Sequence, residues 1–284
     1  MNWLPWPDVT LPRLPGFSLP LPPFPDLPFS YGTPAQWMVL IPLLAALLAF
    51  LLPARMVRVG GWSVIGAGLA GLVVAVWQVY RTQASGDLSA GTIGALPWGE
   101  LDAPMSLSIG SLGAVTASVV ALVALIVQAF ARWYLWYDPR YRQFAATVAL
   151  FTAAMMLVVH SGDVILTLIG WEVMGWCSFL LIGHHSSKAS ARRAASKALI
   201  VTRVADVGFV LGLVALAAGA GSTSIERIID HWSDRSGTAL TVALLLIIVG
   251  VAGKSALFPF QDWLPDAMEG PTPASALIHA ATMV

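Results

Sequence analysis

The sequence predicts an all-α polytopic membrane protein with seven full transmembrane helices, a truncated eighth, and a seventh helix that breaks near its end. Three observations predict it. The side chains are 57% hydrophobic and only 11% charged, with a mean hydropathy of +0.78, a balance foreign to soluble domains. Apolar runs recur along the chain, most with roughly the 17–25 residues that a spanning helix needs. The seventh run closes on Lys254, with Pro259 five residues later. Proline has no N–H, so the carbonyl of Ser255 loses its helical partner and the helix should break at Pro259.

Composition also excludes several classes. The formal net charge is zero, which leaves no electrostatic footprint for nucleic acid. The single cysteine, Cys177, lies inside an apolar run, so neither a disulfide framework nor a cysteine-based metal site is expected. No Lys or Arg precedes an apolar core at the start, so no secretory signal peptide is expected. There is no phosphate-binding glycine loop, haem pair or cysteine cluster. Energy for any transport would come from a partner or from an ion gradient.

Residues 3–34 hold ten of the nineteen prolines, a spacing that excludes a helix and favours extended polyproline geometry. This segment reads either as an irregular arm on the membrane surface or on a neighbour, or as a disordered leader. Seven apolar runs follow: Gln36–Leu52, Gly61–Tyr80, Ser111–Ala131, Phe144–Val159, Val164–Gly183, Ala198–Ala220 and Thr238–Phe258. An eighth begins near Pro273 and reaches Val284. Between the second and third runs, Gly91–Gly110 mixes Gly and Pro with alternating polarity, which predicts a short hairpin outside the bilayer. The chain thus divides into an arm (1–34), two helices with a hairpin-like loop (35–110), a five-helix unit (111–258), and a broken-helix loop with the start of the eighth helix (259–284).

Loop charge sets the expected orientation. Arg55 and Arg58, then Arg132, Arg140 and Arg142 against Asp138, then Lys188, Arg192, Arg193 and Lys197 without an acid, fall in alternate loops. The intervening loops carry Arg81, Arg227 and Arg235, outnumbered by acids. The positive-inside rule then puts the N-terminus outside. The acidic loop at 261–273 falls on the inside against that rule, which suggests that protein surrounds it.

Few ionisable groups interrupt the runs: Glu172, Arg203, Asp206 and Lys254, with His279 in the eighth. A charge at the bilayer centre costs about 2.5–3.5 kcal/mol on insertion scales, so these groups should face the bundle interior and pair. Lys254 beside a broken helix resembles the way transporters place an ion site; the alternative is a lysine that snorkels to the interface. Glu172 has Gly175 and Trp176 on its helix face, and small residues there admit another backbone. Lys254 is its expected partner, either in a proton-exchanging pair or in a purely structural one. Arg203 and Asp206, three apart, can pair along one face. Arg203 keeps its proton, so it either sets a potential or forms a plain salt bridge. His279, near Ser275 and Thr282, is either a proton relay or hydrogen-bonded packing. His184-His185 and Cys177 match no usual zinc spacing, and no metal or cofactor site is expected.

These residues also carry a family resemblance. Residues from about 100 to 284 resemble the antiporter-like subunit L family of proton-pumping NADH-quinone oxidoreductase, respiratory complex I. The matching stretches are Gly170-Trp171-Glu172, Cys177 to Gly183, Val201-Thr202-Arg203-Val204-Ala205-Asp206, Gly253-Lys254-Ser255-Ala256 and the long run from Asp266 to Val284. The sister subunits M and N share the glutamate and lysine but less of their surroundings. The large subunit of Mrp-type Na⁺/H⁺ antiporters shares nearly all of them, as do subunits of inorganic-carbon-uptake complexes.

The resemblance implies a proton-translocating subunit whose first half-channel is residues 111–258. It implies that Glu172 tunes a lysine, that Lys254 is the central proton carrier, and that His279 passes protons onward. It also implies that Asp206 couples to a neighbouring subunit, with Arg203 on the same helix. Flavin and iron–sulfur clusters would reside in partner subunits, and the chain in the inner or plasma membrane among other membrane subunits. Two features depart from the family. The proline-rich start is foreign to it, and family members continue past the eighth helix through a second, inverted repeat. The expectation is therefore either a piece of a longer product or a subunit completed by a second chain. Two other functions compete: an Mrp-like secondary antiporter and a scaffold that transports nothing.

Overall fold

Thr33 and Pro34 start the first helix. Proline's fixed φ suits the first helical position, and the Thr33 N–H donates to Gln36 Oε1 at 3.1 Å. The computed structural model describes residues 33–53, 56–85, 88–92, 96–98 and 101–279. The expected proline-rich arm therefore lies outside the described residues, apart from Thr33 and Pro34.

Among the described residues, six helices are long and apolar enough to cross a membrane. They are α1 (Pro34–Leu51), α2 (Val57–Ser85), α3 (Ser111–Tyr134), α4 (Tyr141–Val159), α5 (Val164–Ile182) and α6 (Ala189–Ala220). A short α7 (Ile225–Ser233) leads into an apolar but shorter α8 (Thr238–Lys254). A loop with a one-turn α9 (Trp263–Asp266) then precedes α10 (Thr272–Leu277). The first six expected runs fall on α1 to α6 and the seventh on the shorter α8, while only the start of the eighth falls on α10 and residues 280–284 lie outside the described residues. The largest boundary change is at α6, which starts nine residues before the apolar stretch and takes in Arg192, Arg193 and Lys197.

α4 lies at the centre of the bundle. It packs on α1, α3 and α5, and 61% of its spanning window is buried against 28% for α2. Its small and apolar residues Ala145, Ala149, Phe151 and Met156 form the middle of the main core. α8 packs chiefly on α6, through a seam of small residues. A Cβ on Gly212 would lie 2.6 Å from the Ala243 carbonyl oxygen, and one on Gly208 would lie 2.9 Å from that of Leu246. Gly250 meets Phe209, and Gly253 meets Ala205, with no space for a side chain. Small residues let membrane helices approach to backbone contact.

The hairpin expected between the second and third runs is present and begins slightly earlier. β1 (Leu88–Thr92) pairs antiparallel with β4 (Ser106–Ile109), and β2 (Leu96–Trp98) with β3 (Leu101–Ala103). Main-chain bonds join this element to the helix ends beside it. Ser108 N–H donates to the His160 carbonyl at 2.8 Å, Gly162 N–H to that of Ser106 at 2.9 Å, and Thr223 N–H to that of Asp102 at 2.9 Å. Asp163 caps α5 by accepting from the Ile165 N–H at 2.7 Å, and its second oxygen accepts from the Thr223 hydroxyl.

Candidate functional site

α8 ends on Lys254, five residues earlier than the break expected at Pro259. The Ala256 backbone takes a left-handed φ of +49°, which turns the chain away before the proline is reached. A helix end leaves carbonyls without intrahelical partners. Here the buried Trp263 supplies one, its Nε1–H donating to the Gly253 carbonyl at 3.0 Å. The C-terminal end of a helix also carries partial negative charge, which favours a cation in the last turn.

Lys254 is 3% exposed, so it stays inside the bundle and does not reach for an interface. Its Nζ lies 3.5 Å from Asp206 Oδ2 and 3.5 Å from the Trp171 carbonyl oxygen. At those lengths the ammonium is held by charge more than by good hydrogen bonds. Gly175 makes the space: a Cβ there would sit 2.8 Å from Nζ.

The ion pairs differ from the expected ones. The sequence suggested Lys254 with Glu172, and Arg203 with Asp206 along one helix. The structure instead pairs Lys254 of α8 with Asp206 of α6, and Glu172 of α5 with Arg203 of α6. Residues three apart share a helix face, but the rotation of α6 aims Asp206 at α8 and Arg203 at α5. Arg203 Nη2–H also donates to the Glu172 carbonyl at 3.3 Å. The two pairs sit at different depths. The Lys254 and Asp206 side chains are 4% and 3% exposed, whereas those of Arg203 and Glu172 are 34% and 38% exposed. Together they form a neutral quartet of two acids and two bases.

Trp171 holds the buried pair from α5. Its Nε1–H donates to Asp206 Oδ1 at 2.6 Å, its ring centroid lies 5.3 Å from Lys254 Nζ, and its ring stacks on Phe209 at 4.1 Å. Sequence reasoning quoted this residue but gave it no role. The signal was present, because a buried indole N–H usually finds an acceptor. Replacing Trp171 by Phe keeps the stack and deletes only the donor. A hydrogen bond to a charged group contributes about 1.5–3 kcal/mol, so denaturant unfolding in detergent should show a loss of that size. The same change beside Asp206→Asn should cost less.

His279 stands apart from the quartet. It stacks on Trp263 at 6.3 Å between centroids, and its two ring nitrogens are buried without a hydrogen-bond partner. Among the described residues no hydrogen bond joins it to Lys254. Pro259 lies exposed in the loop beyond α8.

A different cluster gathers at the end of the bundle away from the hairpins. Ligand atoms of Asp138, His184 and His185 lie within 4.8 Å of one another, a set that could hold a metal ion. Sequence spacing missed it because Asp138 comes from another loop. Cys177, once grouped with these histidines, is buried in the main core. His184 Nε2 lies 3.0 Å from Asp138 Oδ2. Burial alone would raise the Asp138 pKa, but the Arg140 backbone N–H and the His184 ring outweigh it and hold the carboxyl below its ordinary range. Burial pushes His184 down, against the opposing pull of Asp138. Both directions describe a carboxylate accepting from a neutral imidazole.

Residues 161–284 match the transmembrane model of NADH:quinone oxidoreductase/Mrp antiporter proteins. Residues 96–145 match the model for the N-terminus of chain 5 of NADH-ubiquinone oxidoreductase, complex I. The chain belongs to the NADH:quinone oxidoreductase/Mrp antiporter family. Subunit L of the Pseudomonas aeruginosa NADH-quinone oxidoreductase is a family relative 36% identical over 240 residues, covering 79% of this chain and 39% of the relative. Chain 5 of the Picosynechococcus NAD(P)H-quinone oxidoreductase is 39% identical over 192 residues, covering 66% of this chain and 29% of the relative. The chain thus spans well under half the length of these family members.

Two solved structures share the fold. The Mrp complex of a Dietzia species matches with a TM-score of 0.76 at 27% identity, covering 88% of this chain and 27% of that one. An archaeal membrane-bound sulfane sulfur reductase matches with a TM-score of 0.74 at 19% identity, covering 87% of this chain and 51% of that one. The chain is accordingly a multi-pass membrane protein of this family, and its quartet lies within the segment that the antiporter model covers.

Proposed function

We propose that this chain carries a proton-conducting half-channel of a complex-I-like NADH-quinone oxidoreductase. The observation that carries the reading is Lys254, a buried amine at the interrupted end of an apolar helix, facing a buried carboxylate at 3.5 Å. Lysine and carboxylate both exchange protons, whereas the neighbouring arginine keeps its own. Lys254 is then the proton carrier and Asp206 the group that stabilises its charged form. Glu172 and Arg203 set the field around it, and His279 receives the proton beyond the break. In this reading α8 is a seventh span and α10 begins an eighth.

Release of a proton from Lys254 would leave Asp206 facing a neutral amine. Moving Glu172 on α5 toward or away from Arg203 on α6 changes the field at the pair and so alters that cost, which is how a distant event could drive the step. Moving one charge through the membrane field costs about 2.3 kcal/mol per 100 mV. The driving reaction therefore lies in partner subunits, which would carry flavin and iron–sulfur clusters. A second inverted half-channel, in this polypeptide or another chain, would complete the path. The assembly would sit in the inner or plasma membrane with the hairpin side outward.

A second reading is an Mrp-type Na⁺/H⁺ antiporter subunit, supported by the likeness to the Dietzia Mrp complex. Inverted membrane vesicles carrying the complete complex separate the two. NADH with quinone should acidify the lumen at the same rate in sodium and in choline buffers. Proton movement driven by a sodium gradient without NADH would establish the antiporter instead. A complex that pumps normally without this chain would leave it a scaffold.

A further inference from the structure

The loops at the end of the bundle away from the hairpins bring two guanidinium groups onto one residue. Arg140 Nη1–H donates to the Ser186 hydroxyl at 2.6 Å and to the His184 carbonyl at 2.9 Å. Arg192 Nη1–H donates to the Ser186 carbonyl at 2.6 Å and to that of Ser187 at 3.2 Å. Each cation is fixed through one nitrogen and keeps further N–H groups for another acceptor. Neither has an ion-paired acid among the described residues. The nearby Asp138 is engaged elsewhere, by the Arg140 backbone N–H at 2.7 Å and by His184 at 3.0 Å. Asp138 brings one negative charge near two guanidinium groups, and a bridging anion relieves the repulsion that remains.

These groups form one end of a cavity of about 530 Å³. Among the described residues no Asp or Glu lines it, and its walls include Phe50, Phe179 and Leu180. Phe50 and Leu180 are 59% and 41% exposed, so the apolar wall runs out onto the faces of the spanning helices. α1 and α5 finish here, while α4 and α6 begin. The cavity thus has a cationic end at the helix termini and an apolar side along the spans.

We infer that this cavity binds an anionic phospholipid, its phosphate between Arg140 and Arg192 and an acyl chain along the Phe50–Phe179–Leu180 wall. Guanidinium groups match phosphate oxygens in planar, two-point contacts. Basic pockets between membrane helices suit anionic headgroups. A free phosphate would satisfy the arginines and leave the apolar wall unused, so the wall favours the lipid. The site is independent of the proton reading, since it uses none of the quartet.

The test is native mass spectrometry of the full chain, delipidated in neutral detergent. It is titrated with phosphatidylglycerol, with phosphatidylcholine of the same acyl chains, and with inorganic phosphate. Phosphatidylglycerol should bind, and Arg140→Gln with Arg192→Gln should weaken it roughly tenfold or more, from two lost cations. Phosphatidylcholine carries the same phosphate beside a choline cation, so it should bind more weakly and lose less on the double substitution. Equal phosphatidylglycerol binding by the double variant overturns the proposal, as does equal binding of the two lipids by the unaltered chain. Displacement of phosphatidylglycerol by equimolar inorganic phosphate would make it a free-phosphate site and overturn the lipid assignment. If the double variant melts early in detergent alone, Arg192→Gln serves by itself. Arg192 is exposed and outside the core, and its loss should weaken phosphatidylglycerol binding about threefold or more.

Discussion

Lys254→Ala should abolish proton translocation by the assembled complex while leaving a folded but weakened chain. The change removes the ammonium beside Asp206, whose side chain is 3% exposed. Breaking a buried pair by deleting one partner costs about 3–5 kcal/mol, because the other charge stays buried and uncompensated. The double variant Lys254→Ala with Asp206→Ala removes both charges and should regain much of that stability. Transport should not return with it. Vesicle pumping assays and denaturant unfolding, run on the same three proteins, separate the two roles. If stability and transport recover together in the double variant, Lys254 is a structural cation and the proton reading fails.

The second large effect concerns the seam between α6 and α8. Gly212→Val should destabilise the chain by at least about 1–3 kcal/mol, the usual cost of forcing extra atoms into a packed site. A Cβ there meets the Ala243 carbonyl oxygen at 2.6 Å, Ile247 Cγ1 at 2.7 Å and the Ile247 backbone nitrogen at 3.0 Å. Two of those three atoms are backbone, so relief requires the helices to part. Gly66→Ala on α2 is the control. Its Cβ would meet nothing within 4 Å, and alanine favours a helix by about 0.8–1.0 kcal/mol over glycine. Melting temperatures in one detergent should move in opposite directions for the two variants. A harmless valine at 212 would mean that the seam is looser than these distances describe.

The spans were legible because apolar periodicity and length report directly on burial in lipid, and Val164–Gly183 against the observed Val164–Ile182 shows how closely. The start of α6 was not, since its first turns carry Arg192, Arg193 and Lys197, which read as loop. Those residues lie outside the apolar stretch but remain helical. The four charged residues of the quartet could be picked out of the sequence one by one, because charges in lipid are rare, whereas Trp171 could not and His279 stands apart from them. Their pairing was not legible. Spacing places Arg203 and Asp206 on one helix, but only the packed rotation of α6 decides which neighbour each one meets. Trp171 and Trp263 passed as apolar bulk, although each donates its indole N–H at the site. The Asp138–His184–His185 cluster joins two loops that only the fold brings together.

The glycine seam has one more effect. Helices in backbone contact slide poorly past each other, so α6 and α8 behave as a single plank. Both members of the Lys254–Asp206 pair are mounted on that plank. Glu172 and Trp171 belong to α5, on the other side of the joint. At the hairpin end the main chain laces α5 to the α6–α7 turn, with the Val164 N–H on the Thr223 carbonyl at 2.9 Å and the Ile225 N–H on that of Gly162 at 3.0 Å. Rocking of the plank would pivot there and open the gap progressively toward the other end. Such a stroke would part Arg203 from Glu172 and the indole of Trp171 from Asp206. The lysine and its carboxylate would travel together, still facing each other, into a changed field.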